Sequence, residues 1–142
     1  MTTGIKSCSA YLVENARLFG LTHREQMLTA VIAGWHNGPS AKYVRNRHYS
    51  EFLDENDWQK ARKLSLILAL AESLDATQMH LAKCVSTSHD QSSAYLDVLI
   101  EDRQENQVNI EIKAAAALRK WFKKEFGKEL VLRPHVSTIK ES

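Results

Sequence analysis

Leu64-Ser65-Leu66-Ile67-Leu68-Ala69-Leu70-Ala71 is apolar at every position but Ser65. Wound as a helix, such a run shows an apolar side in nearly every direction, and a helix apolar all round is expected to be buried all round. Neither Gly nor Pro interrupts the chain from Glu55 to Met79, so one helix is expected over about those residues, at the centre of a bundle.

Upstream, two shorter helices should pack on it. The first is expected from about Ile5 to Leu18, with Ala10, Leu12, Val13 and Ala16 as its apolar face and Gly20 just past its end. Thr22 opens the second. With Glu25 three residues on it forms a capping box, in which each side chain satisfies the other's free N–H. Leu28, Ile32 and Trp35 follow at helical spacing, and Asn37-Gly38-Pro39 stops the helix. Ser40 to Glu55 is polar, basic and irregular, with one short helix expected around Tyr49–Leu53.

Downstream of His80 the pattern changes. Cys84-Val85-Ser86-Thr87 reads as a short strand, and Ala94 to Ile100 as a second. Val108, Ile110 and Ile112 alternate with Asn109 and Glu111, the period of a half-buried strand, so Gln107 to Ile112 is expected to close a hairpin with the run before it. Ala114 to Phe126 should be a helix with Ala115, Leu118, Phe122 and Phe126 on one stripe and Gly127 as its cap. Leu130-Val131-Leu132 makes a last strand that Pro134 ends, and the tail to Ser142 is expected to fray. Helices first, then β-β-β-α-β, argue an α+β fold: an all-helical bundle over 1–80 and a small antiparallel sheet with one packed helix over 81–142.

The bulk numbers suit this reading. The chain has 142 residues, 44% of them hydrophobic and 25% charged, which is ordinary for a globular protein. A net charge of +2 does not announce a nucleic-acid binder. No apolar run approaches the roughly 20 residues of a membrane span, and MTTGIKSCSAY lacks the apolar core of a secretory signal. Cys8 and Cys84 form no CxxC pair and read as free thiols, small and buried, in a reducing compartment; a cytoplasmic protein is expected. His89-Asp90 falls in a polar turn.

Several segments together resemble one family. Ser9-Ala10-Tyr11-Leu12-Val13, Gly20-Leu21-Thr22 with Glu25 and Ala30–His36, Lys63–Asp75, Trp121-Phe122 and Phe126-Gly127-Lys128-Glu129-Leu130 are similar, in order and spacing, to the C-terminal region of exopolyphosphatases and guanosine-pentaphosphate phosphatases. The resemblance covers essentially the whole chain. It implies that the helical part is a truncated HD-like domain. It also implies that hydrolysis, with Gly-rich phosphate loops and Mg²⁺, belongs to an actin-like module these residues do not contain. The chain would then be a detached accessory region, inactive alone and without a cofactor of its own. Its partner would be inorganic polyphosphate or guanosine pentaphosphate, reached through the full-length protein, and it would form a homodimer, with neither a membrane nor a specific nucleic acid as partner.

Three chemistries are open to the residues present. HD hydrolases hold a divalent ion with His and Asp, and the family-like positions here are Cys8, His36, Glu72 and Asp75. Cys8 stands where His is usual and Glu72 where Asp is usual, and a hard, oxygen-rich site would not favour thiolate. Pairing of His36 and Glu72 with each other or with backbone, as buried polar groups, accounts for them as well. Second, Lys113, Arg119, Lys120, Lys123, Lys124, Lys128 and Arg133 crowd the last helix, and Lys42, Arg45, Arg47 and His48 the polar loop. Such cations could track a polyanion by charge pairing, or serve as a solvated helix face. Third, Trp35, Trp58 and Trp121 are either core or part of a self-association surface. Besides the accessory module, a free-standing HD-like phosphohydrolase with a degenerate metal site and a pure interaction module remain open.

Overall fold

The structure, a computed structural model, describes residues 8–36, 45, 47–101 and 105–137. It contains both helix and strand, as an α+β reading requires. The order is α1 (Cys8–Asn15), α2 (His23–Gly34), α3 (Arg47–Ser50), α4 (Glu55–Ser73), β1 (Ala82–His89), β2 (Ser93–Glu101), α5 (Glu105–Ala116), α6 (Arg119–Phe126) and β3 (Glu129–Ser137). The chain divides into two compact units, Met1–Leu68 and Ala69–Ser142. The division falls within α4, and Leu70 and Leu74 belong to the core of the second unit.

In the first unit Met27, Ala30, Val31, Tyr49, Leu53, Trp58 and Ala61 form the core, with Val13, Leu28, Ile32 and Trp35 packed against it. The capping box at α2 is present: Thr22 Oγ1 accepts from Glu25 N at 3.2 Å, and Thr22 N donates to Glu25 Oε2 at 2.7 Å. An equivalent pair starts α4, where Asp54 Oδ1 accepts from Asp57 N at 2.9 Å and Asp57 Oδ2 from Asp54 N at 3.2 Å. Arg24 of α2 then donates to both carboxylates, to Asp57 Oδ2 at 2.8 Å and Asp54 Oδ2 at 2.6 Å. The Gln26 amide donates to the carbonyls of Val13, Glu14 and Ala16, at and just beyond the end of α1, where helical partners run out.

Two helical expectations are corrected here. α1 stops at Asn15 rather than Leu18, and Leu12 on its expected apolar face is 62% exposed. α4 ends at Ser73, and it is not buried all round: Leu64 is 44% and Ile67 49% exposed, on the same side as Lys60, Lys63 and Ala71. Ser65 and Leu66 point the other way and are buried. Composition alone concealed this stripe, because its solvent side is apolar too. The short helix expected at Tyr49–Leu53 lies slightly earlier, as α3.

In the second unit β2 is central, antiparallel to β1 and parallel to β3. The expected all-antiparallel β-β-β-α-β arrangement is thus replaced by β-β-α-α-β with a mixed sheet. The hairpin joins β1 to β2 through Asp90, whose carboxylate accepts from the N–H groups of Ser92 and Ser93 at 2.8 and 2.7 Å. Parallel β2 and β3 need a crossover, and α5 and α6 supply it. The expected strand 107–112 lies inside α5. Val108, Glu111, Ile112 and Ala115 share a helical face turned to the core, while Ile110, which a strand would have buried with its alternates, is exposed.

The single helix expected over 114–126 is split at Ala117-Leu118, although Leu118 and Phe122 still pack on the core, and Phe126 stacks on Phe122 at 4.6 Å. Gly127 caps α6 at φ +70°, as expected. Pro134 does not end β3. The strand lies at a sheet edge, where a missing N–H breaks no ladder bond if it faces outward. Residues 138–142 lie outside the described residues. Both cysteines are exposed rather than buried.

Candidate functional site

Among the described residues the densest run of cations is on α6. Phe122 enters the core of the second unit, which turns Arg119, Lys120, Lys123 and Lys124 to solvent, and all four are exposed. Arg119 with Lys123 and Lys120 with Lys124 are four residues apart, so the cations stand in two adjacent columns. Lys123 pairs with Glu129, and Lys128 donates to the carbonyl of Asp90, near His89. Lys124 lies 5.4 Å from the centre of the Trp121 ring. Arg119, Lys120 and Lys113 have no ion pair with a described residue. Lys123 and Lys124, in the last turn, also oppose the negative end of the helix dipole. Arg119, Lys120 and Lys124, three cations of one short helix without an ion pair to a described residue, can hold phosphate oxygens by charge and hydrogen bonding.

Arg133 leaves this cluster. It stands on β3 directly beside Asp97 of β2 and donates to it twice, from Nε at 2.7 Å and from Nη2 at 2.8 Å. Its guanidinium lies 4.4 Å from the centre of the Tyr95 ring, and His135 Nε2 is 2.8 Å from Asp97 Oδ1. Arg133 and His135 together hold the Asp97 carboxyl below its usual range. Strand alternation puts these side chains on the sheet face opposite Leu96, Val98 and Ile100, away from the face that α5 and α6 cover. The parallel register that aligns Asp97 with Arg133 leaves no local trace in the sequence, so this network was not legible there.

In the second group of expected polyanion ligands, Arg45 and His48 have acidic partners. Arg45 makes a two-pronged bond to Glu55, at 2.7 and 2.8 Å, and lies 5.5 Å from the Trp58 ring centre. That bond holds the Glu55 carboxyl down. His48 Nε2 sits 2.6 Å from Glu14. Arg47 is exposed on α3, and Lys42 lies outside the described residues.

Of the residues considered for metal binding, Cys8 and His36 lie in the first unit and Glu72 and Asp75 in the second. Among the described residues no group of three or more His, Cys, Asp or Glu side chains is placed to share an ion. His36 Nδ1 is 2.6 Å from the carbonyl of Ala33, at the end of α2. Glu72 is exposed on α4. Asp75 accepts from His80 N at 3.1 Å, and its other oxygen is 3.2 Å from His80 Nδ1.

One acidic residue escaped the sequence reading. Glu111 is fully buried on α5; its Oε1 accepts from Thr77 Oγ1 at 2.7 Å and its Oε2 has no hydrogen-bond partner among the described residues. Thr77 belongs to the α4–β1 loop, in which Gln78 and His80 take positive φ, 55° and 53°, uncommon for residues with a Cβ. Among the described residues no helix is long and apolar enough to cross a membrane. No family model matches this chain, and no curated protein matches it.

Proposed function

We propose that this chain is an accessory module that binds polyphosphate-like anions through α6, and that any hydrolysis belongs to other parts of an exopolyphosphatase-type protein. The observation that carries the reading is the set of three exposed cations on one helix, Arg119, Lys120 and Lys124, without an acidic partner among the described residues. The segments similar to exopolyphosphatases support the nature of the ligand. HD-like character of the helical unit belongs to the same proposal. A linear polyanion suits two columns of cations better than a compact ligand, because it can meet both at once.

The test is binding of long-chain polyphosphate to the whole chain, followed by titration calorimetry at low and high salt. Binding at low salt is expected, with loss in Arg119→Ala/Lys120→Ala/Lys124→Ala. Guanosine pentaphosphate in a parallel titration separates the two anions. No binding at low salt, or undiminished binding by the triple variant, overturns the proposal. Release of orthophosphate with added Mg²⁺ or Mn²⁺ would favour the free-standing phosphohydrolase instead.

A further inference from the structure

A strand at the edge of a sheet offers a row of unpaired N–H and C=O groups, and proteins usually guard such rows with charge, proline or bulges. The sheet here has two edges, β1 and β3. β3 carries Arg133, Pro134 and His135. β1 is guarded only at its start, where a bulge falls between Ala82 and Cys84 and Lys83 pairs with Glu101. From Cys84 to Ser88 it has no charge, no proline and no glycine, and all five residues are exposed.

This open stretch is complementary to itself. Antiparallel pairing of two copies about a two-fold axis at Ser86 sets Ser86 against Ser86, Val85 against Thr87 and Cys84 against Ser88. Two β-branched residues then face each other on each side of the axis, a favourable cross-strand pair. Lys83 meets His89 rather than a second lysine. The operation is closed, so it yields a dimer and not a fibre.

We propose that two copies of this chain pair through Cys84–Ser88 of β1, joining their sheets into one of six strands. This inference stands apart from the polyanion reading, because β1 and α6 share no residue. Sedimentation velocity over a range of concentrations should show a monomer–dimer equilibrium. Ser86→Lys would set two lysines opposite each other at the axis. Within its own chain the new side chain lies beside Asp97 on β2, so the fold should hold, as circular dichroism can check. The variant should remain monomeric at every concentration.

A second measurement does not depend on that variant. In a Cys8→Ser/Cys84→Ser background, Ser86→Cys should form a covalent dimer on mild oxidation, and Thr87→Cys should form far less. A wild-type chain that is monomeric throughout, which would leave the edge to a strand of another protein, overturns the proposal. So does a dimer that survives Ser86→Lys, or equal cross-linking from positions 86 and 87.

Discussion

Glu111 shows most sharply what one residue can cost. A carboxyl group fully removed from water, with one oxygen bonded to Thr77 and the other without a partner among the described residues, is an unfavourable choice beside Val108 and Ala115. Its one bond ties α5 to the loop that holds Gln78 and His80 at positive φ. Thr77→Val should remove that bond and leave both oxygens unmet, at a cost of about 1–3 kcal/mol. Thr77→Val/Glu111→Met removes donor and acceptor together. It should recover most of that loss, or exceed wild-type stability, since an apolar pair of similar shape avoids the desolvation. Urea unfolding of the two single variants and the double variant completes the cycle. Additive losses would show that Glu111 and Thr77 are not coupled. Nothing in the sequence marked Glu111 as buried, because a charged residue between Ile110 and Ile112 reads as the solvent side of a strand.

The attachment of α3 to α1 makes a prediction at the level of elements. Tyr49 on α3 is buried and donates to Glu14 Oε2 of α1 at 3.0 Å. Burial first, and then the bond to Glu14, push the Tyr49 hydroxyl up to about 12. Its folded value lies above the ordinary one of about 10. The neutral hydroxyl therefore contributes stability that is whole below about pH 10 and is lost as pH rises toward about 12. Tyr49→Phe should be less stable at neutral pH and lose less on going to alkaline pH, read by chemical unfolding at a series of pH values. A variant curve parallel to wild type across that window would refute the assignment. Elements whose signal is local were legible in the sequence: the Thr22–Glu25 box that starts α2, the strand at Cys84–Thr87, the cap at Gly127. α5 was not, because Val108 and Ile112 fit both a period of two and a period of 3.6, and only Ile110 and Glu111 tell them apart. Burial of Glu111 and exposure of Ile110 reverse what a strand would show, and packing against Val98 and Leu130 selected the helix. The crossover that makes β3 parallel to β2 follows from that helix and was lost with it.

Over the whole molecule a net charge of +2 produces little long-range field, so any grip on a polyanion must come from local charge, within a Debye length of about 8 Å at physiological salt. The sequence marked the α6 cations but could not separate those already neutralised from those still free, since Arg133 and Arg45 meet their carboxylates only in the folded chain. That separation sets a number. Each phosphate neutralised by a cation releases condensed counterions, and the logarithm of affinity falls with the logarithm of salt by roughly 0.7–0.9 per contact on nucleic acids. If Arg119, Lys120 and Lys124 alone engage a linear polyphosphate, the slope should be about −2.4. If Lys123 and Lys128 also give up Glu129 and the Asp90 carbonyl, five contacts would take it to about −4. Arg119→Ala/Lys120→Ala should lower the magnitude by about 1.5 in either case, whereas Arg133→Ala should leave it unchanged. Polyphosphate affinities measured across a tenfold range of salt give these slopes directly. A flat dependence would mean that the α6 cations are only a solvated helix face, and a slope changed equally by Arg133→Ala would mean that the opposite face of the sheet shares the load.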